Sequence, residues 1–137
     1  MTLRFAQIAV LAVTVIVTAW TVMPANAQDT SPELQEQPAP YDDQLVRLSE
    51  VLGAIHYLRN LCGADEDQTW RDQMQKLLEA EDPSTARRAR FVDGFNRGYR
   101  GFQRTHATCT DASRLLADRF VSEGAQISSQ IATRYAN

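Results

Sequence analysis

The sequence predicts an all-α fold: a small four-helix bundle, three longer helices and one short, stapled by one disulfide. Three observations predict it. Beyond residue 40, apolar residues recur at three- and four-residue spacing in four separate stretches, with no strand-like alternation. The stretches are divided by short segments that carry Gly, Pro, Asp, Ser or Thr, the residues that stop and restart helices. The only two cysteines, Cys62 and Cys109, follow an export leader, and two thiols in an oxidising compartment pair.

Residues 1–27 read as a signal peptide. Arg4 charges the short start, and no acid occurs before Asp29. The uncharged run from Phe5 to Val22 is broken only by Gln7, Thr14, Thr18 and Thr21. Pro24 ends it, and Ala25-Asn26-Ala27 gives a signal peptidase its small-x-small site, so cleavage is expected after Ala27. An uncleaved anchor is the competing reading, because the run approaches the roughly 18–20 apolar residues that span a bilayer. A cleavage site directly behind a proline favours removal, which leaves no stable membrane span. No cysteine stands at the leader's end to carry a lipid.

Residues 28–40 (QDTSPELQEQPAP) hold three prolines and almost nothing to bury, and read as a disordered, Pro-rich tether. Residues 41–137 form the helical domain. Its first helix is expected at about 42–61, where Leu45, Leu48, Leu52, Ile55 and Leu58 line one stripe. Asp42 or Asp43 would cap its start and Gly63 would stop it. A short second helix spans about 70–80 with Trp70, Met74, Leu77 and Leu78 inward, and Thr69 with Asp72 resembles a capping box. Asp82-Pro83-Ser84 breaks the chain, and Ser84 caps a third helix that reaches about Arg104. Thr110 then caps a long fourth helix to about Tyr135, with an expected inner face of Leu116, Phe120, Ile127, Ile131 and Tyr135.

These boundaries give the cysteines a geometric meaning. Cys62 ends the first helix and Cys109 precedes the cap of the fourth, so a bond between them closes a loop over the second and third helices. Such closure removes unfolded-state entropy of about 4 kcal/mol on chain-entropy grounds. The spacing is not C-x-x-C, and the two histidines, His56 and His106, lie apart, so neither a redox motif nor a metal-ligand set is expected.

The third helix has an unusual composition. At 100° per residue, Phe91, Phe95, Tyr99 and Phe102 fall on one side, with Val92 at the edge; Arg90, Arg97, Arg100 and Arg104 gather roughly opposite. Gly94, Gly98 and Gly101 line the border, and each costs about 0.5–1 kcal/mol relative to alanine, so a compensating use is expected. Close approach of another helix is that use, with a ligand groove as the alternative. Arg97, Arg100 and Arg104, with Asn96 nearby, are the candidate binding residues, because guanidinium groups suit phosphate and carboxylate recognition. The competing reading is a solvated face paired with the acids of residues 65–67 and 79–82.

Charge is divided along the chain. Residues 28–82 carry thirteen acids against four bases, and residues 83–137 nine arginines against four acids. Complementary helices explain such a division, and the mildly negative net charge argues against nucleic acid as a partner. No nucleophile elbow, tuned carboxylate pair or catalytic triad is evident, so no catalytic residue is assigned and no cofactor or metal is expected.

The combination of Tyr57-Leu58-Arg59-Asn60-Leu61-Cys62-Gly63, Trp70-Arg71 with Met74, Arg87-Arg88 leading into Phe95-Asn96-Arg97-Gly98-Tyr99-Arg100, Cys109-Thr110, Arg119-Phe120 and Glu123-Gly124 resembles a family of short exported alphaproteobacterial proteins known only as a domain of unknown function. The resemblance covers most of the chain beyond the leader and implies a Gram-negative periplasmic setting. It brings no activity or catalytic residue to these positions. The expected role is that of a binding or adaptor protein acting on another envelope protein. The alternative is a binding module for an anionic envelope component (lipid head group, lipopolysaccharide or peptidoglycan) through the arginine face.

Overall fold

The computed structural model describes residues 37–66 and 68–136. The expected leader and most of the expected tether lie outside these residues. Four α-helices follow in order: α1, Asp42–Leu61; α2, Thr69–Glu81; α3, Thr85–Thr105; and α4, Asp111–Tyr135. No strand occurs among the described residues, so the all-α, four-helix expectation holds. The Cys62–Cys109 disulfide is formed, with an S–S distance of 2.02 Å.

Helix α1 is the hub. The run 51–56 is entirely buried, together with Asp42, Leu45, Ser49 and Leu58, so the helix has no continuous solvent face. The other three helices pack around it. Contacts fix their directions: Arg71 meets His56 while Arg87 joins both Glu81 and Asp42, so α2 runs opposite to α1. Arg59 meets Asp118 and Arg47 meets Glu123, so α4 also runs opposite. Helix α3 runs alongside α1 in the same direction, Arg87 lying beside Asp42 and Tyr99 beside Tyr57.

The α1–α3 contact is a glycine crossing. A Cβ built on Gly98 would overlap the Glu50 carbonyl oxygen, and one on Gly94 would stand 2.9 Å from the Val46 carbonyl oxygen. From the other side, a Cβ on Gly53 would overlap the Phe95 carbonyl. Two backbones therefore meet where only glycine leaves room. The close-packing expectation fits Gly94 and Gly98 but not Gly101, where an added Cβ meets nothing within 4 Å. Gly53, buried on the α3-facing side of α1, is the third member instead.

Termini and faces bring further corrections. Neither Asp42 nor Asp43 caps α1: Tyr41 holds that position with no side-chain bond, because the Asp42 carboxylate is turned inward to the buried Arg87. The Thr69–Asp72 capping box does not form, since Thr69 is already the first residue of α2 and Gln68 precedes it without a side-chain cap. Asp82 ends α2 in the left-handed region at φ 39°, and Gly63 follows α1 at φ 69°. Ser84 and Thr110 do cap α3 and α4, accepting from the Arg87 and Ser113 backbone amides. Helix α4 is rotated from its expected azimuth. Ser113, Ala117 and Gly124 are its buried residues; Leu116, Phe120, Ile127 and Ile131 are only half-buried, and Tyr135 is exposed beside Tyr41. Small side chains let α4 lie close to Val51 and Leu48 of α1, and that approach selects the small face.

The charge division does reflect complementary helices. Arg87 of α3 holds Asp42 and Glu81, and Arg90 reaches Asp42 and Asp43.

Candidate functional site

Helix α3 presents its polar side on the outside of the glycine crossing. The crossing fixes α3 against α1 through Gly94 and Gly98, and so turns Arg97, Arg100 and Arg104 outward, all exposed. These three, with Asn96, Gly101, Asp93 and Glu50 of α1, surround a depression of about 660 Å³. All four sequence-predicted binding residues are thus brought together in one place.

Among the described residues no carboxylate pairs with Arg97, Arg100 or Arg104. Three acids of the competing reading are engaged elsewhere: Glu66 accepts from the Trp70 indole at 2.8 Å, Glu79 from the Gln75 amide at 2.9 Å, and Glu81 pairs with Arg87 at 3.1 Å. Glu50 lies 3.3 Å from Arg47, which also forms a fork with both Glu123 carboxylate oxygens at 2.7 and 3.1 Å. That hydrogen bond raises the Arg47 pKa above its ordinary value, against a smaller lowering by burial, so its charge is firmly held. The Phe120 ring lies against the same guanidinium, 5.9 Å from its centre.

A second concavity was not legible in the sequence. Helices α2 and α4 flank α1 without closing over it, leaving an apolar groove of about 530 Å³. Leu48, Leu52 and Ile55 form its floor, Trp70, Gln73 and Leu77 one wall, and Gly124, Ala125, Ser128, Ile131 and Ala132 the other. Leu48, Trp70, Leu77 and Ile131 read as core from their spacing, yet each is only half-buried because the groove stays open above it. Periodicity identifies an apolar stripe but not whether a neighbour covers it. The one available signal was the succession of small residues on α4, which leaves its groove wall low.

The remaining chemistry-bearing residues serve the fold. His56 is buried, accepts from Arg71 Nε at 3.1 Å, and lies against Phe95 and Tyr99. His106 follows α3, and its carbonyl accepts from the Tyr57 hydroxyl. Among the described residues no group of three or more His, Cys, Asp or Glu could hold a metal ion, and no helix is long and apolar enough to cross a membrane.

Residues 40–135 match a family described as a protein of unknown function (DUF2385). No curated protein and no solved structure matches the chain.

Proposed function

The chain belongs to the DUF2385 family, and we propose that it is an exported, periplasmic adaptor that binds another envelope protein by seating one of that protein's helices in the groove between α2 and α4. The open groove carries this reading. Of its apolar lining, Leu48, Trp70, Leu77 and Ile131 are left half-buried, and none of the four described helices covers them. An amphipathic helix lies in such a groove with anchors at i, i+3 or i+4, and i+7. The run of Gly124, Ala125, Ser128 and Ala132 along one wall lets that helix approach closely. A helical occupant would extend the packing that α1 already makes with its three neighbours.

Photo-crosslinking residues placed at Gln73 and Ala132, both at the surface of the groove, test the proposal in living cells. One envelope protein should be captured from both positions and not from Arg119 on the exposed side of α4. Ala125→Glu, at an exposed groove position, should leave the melting temperature near that of the parent and abolish the complex, because a carboxylate would be buried unpaired against the partner's apolar face. Capture that survives Ala125→Glu would refute the groove as the binding surface.

A further inference from the structure

We propose that the depression formed by Asn96, Arg97, Arg100, Gly101 and Arg104 binds a phosphate monoester. This goes beyond the adaptor role and shares no residue with the groove.

Three observations carry it. The first is the set of donors. Arg97, Arg100 and Arg104 stand on successive turns of α3 and face one depression, and no carboxylate of the described chain engages them. Arg47, Arg59, Arg87, Arg90 and Arg114 have acidic partners, and Arg88, Arg119 and Arg134, which have none, do not line the depression. Guanidinium forks match phosphate oxygens, and several forks around one group satisfy a tetrahedral anion that has oxygens facing each of them.

The second is charge. Two acids also line the depression, Asp93 and Glu50, and Glu50 is set against Arg47 at 3.3 Å. Arg47 is itself forked to Glu123, so Glu50 still counts, and three guanidinium groups against two carboxylates leave the lining with an excess of one positive charge. A phosphate monoester, at about −1.5 to −2 at neutral pH, is drawn to that excess and offers three terminal oxygens to the three guanidinium groups, where a carboxylate offers two.

The third is Gly101. Gly94 and Gly98 are required by the α1 backbone, but the space beside Gly101 is open to 4 Å. A glycine inside a helix with no packing reason lies among the arginines. The missing side chain leaves room for a ligand to come close to the helix surface between their forks.

A monoester at this site could be a soluble molecule or a head group on a lipid or lipopolysaccharide, and the chemistry is the same. Glycerol 3-phosphate titrated into the folded chain beyond residue 27, followed by amide chemical shifts, probes the soluble source. Co-sedimentation with phosphatidylcholine vesicles, with and without phosphatidic acid, probes the membrane source. Saturable binding of the soluble ester, or binding only to vesicles that contain phosphatidic acid, each supports the site and assigns its source. Arg97→Gln with Arg100→Gln should weaken binding by about tenfold or more. Gly101→Leu should do the same while the melting temperature stays at least at the parent value, because it fills open space on a helix. Arg119→Gln, exposed on α4, should change nothing. Failure of both probes to bind, equal affinity for acetate, or binding unaltered in the Arg97→Gln, Arg100→Gln variant would overturn the proposal.

Discussion

The Arg87 guanidinium of α3 grips the Asp42 carboxylate of α1 through Nε at 3.1 Å and Nη2 at 2.6 Å, with both side chains buried. Glu81 at the end of α2 accepts from the same Nη2 at 3.1 Å, so one arginine ties three helices together. The Phe91 ring lies 5.4 Å from the guanidinium carbon and is itself wholly buried. Desolvating two charges is costly, and only complete pairing offsets that cost.

Arg87→Met is therefore expected to destabilise the fold by about 3–5 kcal/mol, because it leaves the Asp42 charge buried without its fork. Arg87→Lys should recover only part of the loss, since an ammonium cannot reproduce the planar two-point grip. Arg87→Met combined with Asp42→Leu should be less damaging than Arg87→Met alone. Urea unfolding of the three variants checks this, and a double variant no better than the single would show that the ion pair is not the source of the loss.

The glycines separate cleanly by environment. Gly98→Ala places a methyl against the Glu50 carbonyl and should cost at least the roughly 1–3 kcal/mol typical of overpacking, because backbone cannot rotate out of the way. Gly101→Ala meets nothing and should stabilise the domain by about 0.5–1 kcal/mol through helix propensity. Thermal melts of the pair should move in opposite directions.

The disulfide joins the end of α1 to the residue before the α4 cap, across 47 positions of sequence. Reduction should lower stability by about 2–5 kcal/mol. Thiol titration of the denatured, unreduced protein should find no free thiol, and two labelled cysteines in native material would contradict the pairing.

Export is tested by mass. The leader pattern predicts a mature chain that begins at Gln28 and is recovered from the periplasmic fraction. Intact-mass measurement that finds Met1 retained would restore the membrane-anchor reading.

The sequence by itself determined the helices. Helix α1 matches the expected 42–61, α2 agrees within one residue at each end, and α3 within one residue at its C-terminus, because apolar spacing, Ser84, Thr110 and Gly63 are local signals that act within a few residues. It also determined the disulfide, since two cysteines have only one intramolecular pairing. The arginine site was legible for the same local reason: residues at three- and four-residue spacing share a helix face wherever the helix goes. Only the tertiary structure decided which side of each helix meets which neighbour. Asp42 had the local look of a cap but became the partner of a residue 45 positions away. Gly53 rather than Gly101 joined the crossing, and α4 turned Ala117 and Gly124 inward in place of Phe120 and Tyr135. The groove between α2 and α4 likewise has no local signature, because a residue's spacing records its own face and not the absence of a helix opposite it. Backbones approach most closely where side chains are smallest, and that non-local fit sets the azimuth of every helix around α1.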